Sequence, residues 1–326
     1  MDIKKMDIKK DTILVIFFCF VMSWVGAQQE AQYTQYMYNT SSINPAYIGS
    51  KENLEITGLY RSQWVGLEGA PKTQTLGISS PIDYYNRLGL GLSVVNDVVG
   101  ITSETYFNID FSYNIPFGEY AKLSFGLKAV GHLLNVDFEK LSLLDGNDVN
   151  FQGNIHNEFT PNVGTGVYYN TDKFYMGLSV PNLLETTSSF DGTAANGENV
   201  GSSSFIRERM HFYWITGYVF DVNDYVRFKP AVLTKLVVGA PLQVDVSANF
   251  LLYDKLSLGL AYRWSASVSA LAGFRITQPF MVGFAYDREI TDLGNTEYND
   301  GSFEIILRYQ LPEKIFGKRR LTPRFF

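Results

Sequence analysis

A strict alternation of polar and apolar residues runs through most of this chain, from about residue 54 to residue 310. In the stretch 243–250, for example, every odd-numbered residue is polar and every even-numbered residue is apolar. Successive side chains of a β-strand point to opposite faces, so each such stretch predicts a strand with one apolar and one polar face. We expect about fourteen strands, at 54–64, 72–80, 88–96, 103–114, 121–134, 159–169, 174–181, 210–220, 226–236, 243–252, 256–263, 266–276, 280–287 and 303–310.

The lengths of the connections between these strands alternate as well. Even-numbered strands are followed by short, turn-rich connections such as 83–86 and 254–255, whereas the long connections 135–158, 182–209 and 288–302 all follow odd-numbered strands. Short periplasmic turns and longer external loops are typical of single-chain outer-membrane barrels, which have an even number of strands. We therefore predict an all-β, transmembrane antiparallel β-barrel with both mature termini in the periplasm. Within the long external connection 182–209, the stretch from about 186 to 204 is low in bulky residues and should be mobile.

The composition favours the membrane barrel over a soluble β-sandwich or propeller of similar length. Charged residues make up 18% of the chain and aromatic residues 15%, and aromatic side chains near strand ends are typical of membrane interfaces. The lipid-facing aromatic positions that we predict are Trp64, Tyr113, Tyr169, Phe220, Tyr262 and Trp264. A net charge of −6 argues against a nucleic-acid partner, and the one cysteine excludes a disulfide scaffold.

The N-terminus predicts a secretory signal peptide over residues 1–27. Four lysines up to Lys10 precede an apolar core from Ile13 to about Val25, and small residues end at Ala27. An uncleaved anchor helix is the alternative. The mature chain is then divided into a periplasmic N-terminal segment or plug at 28–53, the barrel at 54–310, and a periplasmic basic tail at 311–326.

The polar faces of the strands carry charges of both signs, which we expect to line the barrel lumen. These residues are Glu55, Glu104, Asp110, Lys122, Lys128, Arg227, Lys229, Asp245, Glu304 and Arg308, together with Arg61. Opposite charges fall on neighbouring strands, and buried charges need partners. We interpret the set as an interior network of ion pairs. An ion-selective pore built from the same residues is the alternative.

Candidate catalytic and metal-binding residues are few. His132, His156 and His211 are not spaced as metal ligands, and no Gly-x-Ser-x-Gly elbow is present. The oxygen-rich stretch 145–150 lacks the closing glutamate of a calcium loop and is typical of a surface turn. We predict no catalytic residues, no cofactor and no metal.

Four motifs in the first third of the chain resemble one family. Gln32-Tyr33 opens a segment that leads to Asn44-Pro45-Ala46-Tyr47-Ile48-Gly49, then to Arg61-Ser62-Gln63-Trp64-Val65-Gly66, and then to Gly69-Ala70-Pro71 with Thr73. This order resembles the PorP/SprF family of Bacteroidetes outer-membrane proteins, which is associated with type IX secretion and gliding motility. By register, Arg61 and Gln63 face the lumen and Trp64 faces lipid near the rim, while 69–71 forms a tight external loop.

The resemblance implies a role rather than a reaction. It implies a non-enzymatic outer-membrane barrel that assists export of a secreted adhesin or holds the adhesin's C-terminal domain at the cell surface, with other type IX components and outer-membrane lipid as further partners. An outer-membrane transporter or porin for small or hydrophobic solutes is the alternative, and a barrel enzyme such as a lipase is a third.

Overall fold

The computed structural model of the chain describes residues 31–50, 53–118, 120–140, 154–193, 199–207 and 209–311. The predicted signal peptide, the stretch 145–150 and the predicted basic tail beyond Leu311 lie outside the described residues. The described residues contain no helix that is both long and apolar enough to cross a membrane.

Antiparallel strands make up nearly all of the described chain, and fourteen of them correspond to the predicted segments. In chain order the strands are β1 (Glu55–Ser62), β2 (Lys72–Pro81), β3 (Leu88–Val99), β4 (Thr102–Phe117), β5 (Ala121–Val136), β6 (Ile155–Asn170), β7 (Phe174–Val180), β8 (Thr187–Thr193), β9 (Asn199–Arg207), β10 (His211–Tyr218), β11 (Phe220–Asn223), β12 (Val226–Val237), β13 (Gln243–Leu252), β14 (Leu256–Arg263), β15 (Ser267–Arg275), β16 (Phe280–Glu289) and β17 (Ser302–Gln310).

Two sets of strand pairings complete the sheet as a closed ring. β1 pairs with the last strand, β17, and β10 pairs with both β7 and β12. The short strand β11 also pairs with β12 and extends the line of β10 after Val219, so the two together occupy one position in the wall. The result is a closed antiparallel barrel of fourteen strands, as predicted.

Burial alternates along the wall in the way that the polar and apolar faces predict. In β1, Arg61 is completely buried whereas its neighbour Tyr60 is 44% exposed. The outward face carries large apolar and aromatic side chains, among them Tyr113, Phe220 and Tyr262. The polar face therefore lines the lumen, and the apolar face forms the outer surface.

The connections separate the barrel into two rims. The short-turn rim carries the connections that follow β2, β4, β6, β11, β13 and β15. The opposite, long-loop rim carries the connections 137–154, 181–210 and 290–301. The connection 181–210 is not a plain loop as expected, because β8 and β9 pair into a two-stranded sheet of their own. Its serine and threonine residues suit a strand as well as a loop, and composition alone did not separate the two.

Residues 31–50, which we call the lumen segment, lie inside the barrel. The segment contains a single helical turn, α1 (Thr40–Ile43), and a 3₁₀ helix (Pro45–Ser50), and its side chains from Tyr33 to Thr40 are buried. Gln32 bonds to Gln243 and Arg263 beside the long-loop rim, while Tyr38 bonds to Ser257 near the short-turn rim. The first described residues, 31 and 32, thus lie at the long-loop rim, whereas the predicted mature N-terminus at residue 28, which we expected on the side of the short turns, lies outside the described residues.

Candidate functional site

A buried ion cluster lies where the first and last strands meet. Arg61 of β1 faces Glu304 of β17 in register, and Asp287 of β16 pairs with Ser302, two residues before Glu304 on the same inward face. Arg61 Nη2 lies 2.7 Å from Asp287 Oδ2, and Nη1 lies 3.2 Å from Glu304 Oε2. All three side chains are at most 1% exposed. One guanidinium therefore holds two carboxylates out of water, which is stable only with further hydrogen bonds.

The lumen segment supplies those further hydrogen bonds. The backbone N–H groups of Thr34 and Gln35 each donate to a different oxygen of Glu304, both at 2.8 Å. The Thr34 hydroxyl donates to Asp287 Oδ2 at 2.5 Å, and Arg61 Nη1 donates to the same hydroxyl at 2.6 Å. The ion cluster thus binds the backbone of the segment as well as its own members, which fixes where the segment crosses the lumen.

Three tyrosines continue this attachment down the barrel. Tyr33, Tyr36 and Tyr38 form hydroxyl–hydroxyl hydrogen bonds of 3.0, 3.1 and 2.9 Å to three wall residues, which are respectively Thr75, Ser247 and Ser257. The first half of the segment is therefore held by polar bonds to strands on several sides of the wall.

The second half of the segment carries the Asn44-Pro45-Ala46-Tyr47 motif and docks on β5, β6 and β7. Asn44 Nδ2 donates to the carbonyl oxygens of Val167 and Leu178 at 3.2 and 3.4 Å, and Asn44 Oδ1 accepts from Ala46 N at 3.0 Å. Tyr47 packs edge-on against Tyr168 with ring centroids 5.3 Å apart. Asn44 therefore both stabilises the turn and fixes it to the barrel wall.

Strand glycines make room for this turn. A β-carbon on Gly126 of β5 would collide with the backbone at Pro45 and Ala46, and one on Gly166 of β6 would collide with the Asn44 side chain. Sequence reasoning did not single out these glycines. The available signal was their position inside strands, which often marks close approach of another backbone.

Most of the predicted lumen charges form pairs along the inner wall. Lys128 lies 3.6 Å from Asp110, Arg308 lies 3.8 Å from Glu55, and Arg263 lies 2.9 Å from Asp245. Lys128 also donates to the Ser42 carbonyl oxygen at 3.0 Å. The remaining predicted residues are placed as follows: Glu104 accepts from Tyr106, Lys122 is half-buried near the short-turn rim, Arg227 pairs with Asp254, and Lys229 lies over the Tyr175 ring. Sequence reasoning missed Thr34, Arg263 and Asp287, although the alternation in β16 puts Asp287 on its inward face.

The motif residues after Arg61 form part of the long-loop rim. β1 ends at Ser62, so Trp64 is not on the strand with its ring toward lipid as we predicted. It adopts a left-handed backbone with φ of 44°, and its indole N–H donates to Glu289 at 3.3 Å. Gln63 lies 3.5 Å from Arg61, and the Gly69 carbonyl accepts from Gly100 N at 2.8 Å. Gly66, Ala70 and Pro71 complete this connection to β2.

A pocket open to solvent lies at the long-loop end of the lumen. Its floor is the lumen segment, at Tyr33, Ser42 and Ile43, and its walls include Asp97, Glu104, Tyr106 and Tyr213. The cross-strand pair Asp97 and Glu104 flanks the β3–β4 connection, which belongs to the long-loop rim. This end of the barrel therefore presents a polar and aromatic hollow that the lumen segment closes from below.

His132 and His211 are buried, whereas His156 is exposed near the start of β6. His132 stacks on Tyr106 with ring centroids 4.4 Å apart, and His211 Nδ1 lies 2.8 Å from the Arg209 carbonyl oxygen. Across the described ranges, no group of three or more His, Cys, Asp or Glu residues is arranged to hold a metal ion. The arrangement as a whole holds a peptide segment in a lumen.

Comparison with known proteins gives one family. A family model described as type IX secretion system membrane protein PorP/SprF matches residues 25–309, which include the lumen segment and nearly the whole barrel. No curated protein matches the chain. Among solved structures, the CymD monoaromatic hydrocarbon channel is 14% identical over 88% of this chain and 94% of the channel, with a TM-score of 0.49. The toluene transporter TbuX of Ralstonia pickettii is 10% identical over 82% of this chain and 91% of the transporter, with a TM-score of 0.48.

Proposed function

Because this chain belongs to the PorP/SprF family of type IX secretion system membrane proteins, we propose that it assists the export or surface attachment of a secreted adhesin without catalysing a reaction. Family membership implies association with the secretion components. The protein is an integral barrel of the outer membrane, where its apolar outer face meets lipid. The proposal goes beyond family membership in naming a secreted adhesin or its C-terminal domain as the partner, and in assigning a docking surface to it.

The filled lumen is the observation that supports a docking role most directly. The lumen segment is fixed by the ion cluster at its first half and by close packing at its second half. A solute path along the barrel would have to displace a segment that forms many hydrogen bonds with the wall, and those bonds would be lost. The rims, rather than the lumen, are then the surfaces on which the protein acts.

The long-loop rim offers the larger surface for such a partner. It carries the separate β8–β9 hairpin and the pocket above the lumen segment. External loops carried on a rigid barrel are a common place for binding residues. We assign the adhesin contact to this rim, with the β8–β9 hairpin as its main element.

Replacing residues 187–207 by a short Gly-Ser linker tests the assignment in cells. We expect the adhesin to be lost from the cell surface, measured by whole-cell immunolabelling, while the amount of folded barrel in the outer membrane stays the same. A matched control replaces the exposed pair Tyr84 and Tyr85 on the short-turn rim by serine, which should leave surface adhesin unchanged.

Two results would contradict the proposal. One is surface adhesin that stays at the wild-type level without the hairpin. The other is rapid solute flux through purified wild-type protein in liposomes, which would favour a transporter and would mean that the lumen segment does not close the barrel.

A further inference from the structure

Three arginines converge on the inner wall at the short-turn end of the lumen. Arg227 lies at the start of β12, Arg275 at the end of β15 and Arg308 near the end of β17. Arg275 faces Met281 of β16 in register, and Met281 faces Arg308, so the two arginines are two strands apart at one level. On the other side, Arg227 faces Leu251 of β13, which in turn faces Ser257 of β14.

Tyr38 of the lumen segment sits in the middle of this group. Its hydroxyl bonds to Ser257 at 2.9 Å, and the Arg308 guanidinium carbon lies 5.3 Å from its ring centroid. Gly273, two residues before Arg275 on the same inward face, is close to the Tyr38 hydroxyl as well. The three arginines therefore surround the lowest part of the lumen segment, on the side that faces the short-turn rim.

The positive charge of this group is incompletely matched by acidic residues. Arg227 pairs with Asp254, but Arg308 reaches Glu55 only at 3.8 Å, and Gln310 occupies the same Glu55 oxygen at 2.7 Å. Arg308 is 3% exposed, and its Nη1 has no hydrogen-bond partner. The backbone N–H of Arg275 donates to the Lys255 carbonyl oxygen, but its guanidinium forms neither a hydrogen bond nor an ion pair with any described residue. A buried donor without a partner is costly, so a bound anion would remove a real penalty.

We propose that Arg227, Arg275 and Arg308 form a binding site for an oxyanion, a carboxylate or a phosphate, that reaches the lumen from the periplasm. Guanidinium groups match both anions because their planar donor forks bind two oxygens at once. The lumen segment closes the site from above, so a ligand enters only through the short-turn rim. Membrane lipid lies outside the wall, which leaves an acidic polypeptide segment or a free ion as the two sources.

The site lies at the opposite end of the barrel from the proposed adhesin contact, so neither inference depends on the other. A bound acidic segment at this end would connect the barrel to a periplasmic component, while the long-loop rim stays free for the adhesin. Failure of one test leaves the other proposal as it stands.

Calorimetric titration of the full chain in detergent tests the site with two probes, inorganic phosphate and a tetraglutamate peptide. We expect at least one probe to bind and Arg275→Gln to weaken its affinity about tenfold or more, since hydrogen bonds between charged groups are stronger than neutral ones. Arg275 contacts no described acidic partner, so this variant should fold normally, which heat-dependent gel mobility checks. Arg209→Gln at the long-loop rim removes the same charge and should leave the affinity unchanged.

The two probes separate the two sources. Binding of tetraglutamate at least tenfold tighter than phosphate would assign the site to an acidic polypeptide, and the reverse order would assign it to a phosphate ion. The proposal is overturned if neither probe binds the wild type, or if Arg275→Gln binds as tightly as the wild type and Arg308→Gln does too.

Discussion

The two halves of the lumen segment are held in the same barrel by different physics. Residues 33–38 are held by charge and hydroxyl groups, through the ion cluster and the three tyrosine bonds. Residues 42–48 are held mainly by shape, where the strand glycines let the turn approach the wall. The first half, which we call charge-held, is therefore sensitive to removal of a partner, whereas the second half, which we call shape-held, is sensitive to addition of an atom.

The wall itself is divided in the same way. β1, β16 and β17 contribute Arg61, Asp287 and Glu304 to the first half, while β5 and β6 contribute Gly126 and Gly166 to the second. Charged side chains can reach across a gap and fix a direction, but they must be mutually satisfied. Glycines let two backbones approach closely and bury no additional polar side chain. They do not select which segment fills the space. A different kind of mutation should therefore weaken the attachment of each half to the wall.

The first prediction concerns the side of the outer membrane from which the start of the charge-held half can be reached. A cysteine at Ala31 should react with a membrane-impermeant maleimide in intact cells, because Ala31 lines the pocket at the long-loop end. The native Cys19 lies in the predicted signal peptide. Glu297→Cys on the long-loop rim should behave alike, whereas Lys255→Cys on the short-turn rim should label only after permeabilisation. If Ala31→Cys is labelled only in permeabilised cells, the lumen segment runs through the barrel in the opposite direction, and the prediction is wrong.

The next effect tests the ion cluster. Arg61→Ala leaves Asp287 and Glu304 buried without their cation, which should lower the free energy of unfolding by about 3–5 kcal/mol. Equilibrium urea unfolding of the refolded barrel measures it. The triple variant Arg61→Met, Asp287→Asn, Glu304→Gln removes all the charges at once and should recover much of this loss. If the triple variant is no more stable than Arg61→Ala, the cost does not come from unpaired carboxylates.

The strands and part of this cluster could be predicted from the sequence, and the rest could not, for identifiable reasons. Alternation places Arg61 and Glu304 on the inward face, and the meeting of the first and last strands makes them neighbours. Thr34 belongs to no periodic element, so nothing in its surroundings indicated that its backbone binds Glu304. A glycine such as Gly126 shows that space is needed but not what fills it. The β8–β9 pairing depends on a register that a Ser- and Thr-rich composition does not reveal.

The shape-held half is tested by adding one methyl group. Gly126→Ala should lower the free energy of unfolding by about 1–3 kcal/mol, because the new β-carbon meets backbone that cannot rotate away. Gly58→Ala in β1 is a matched control, since a β-carbon there has nothing within 4 Å. The control should change stability by less than about 0.5 kcal/mol. Equal effects at Gly126 and Gly58 would mean that the turn does not pack on β5 as closely as the structure indicates.

The last prediction compares two hydroxyls, that of Thr34 in the first half and that of Ser179 on β7, which binds the second half. Ser179 donates to the Ile43 carbonyl oxygen at 2.7 Å, a neutral bond whose loss in Ser179→Ala should cost about 0.5–1.5 kcal/mol. Thr34→Ala removes a hydroxyl that donates to Asp287 and accepts from Arg61, so it should cost more, about 1.5–3 kcal/mol. Urea unfolding of both variants gives the order directly. If Ser179→Ala costs as much as Thr34→Ala, polar bonds matter equally in both halves, and the distinction between charge-held and shape-held attachment is wrong.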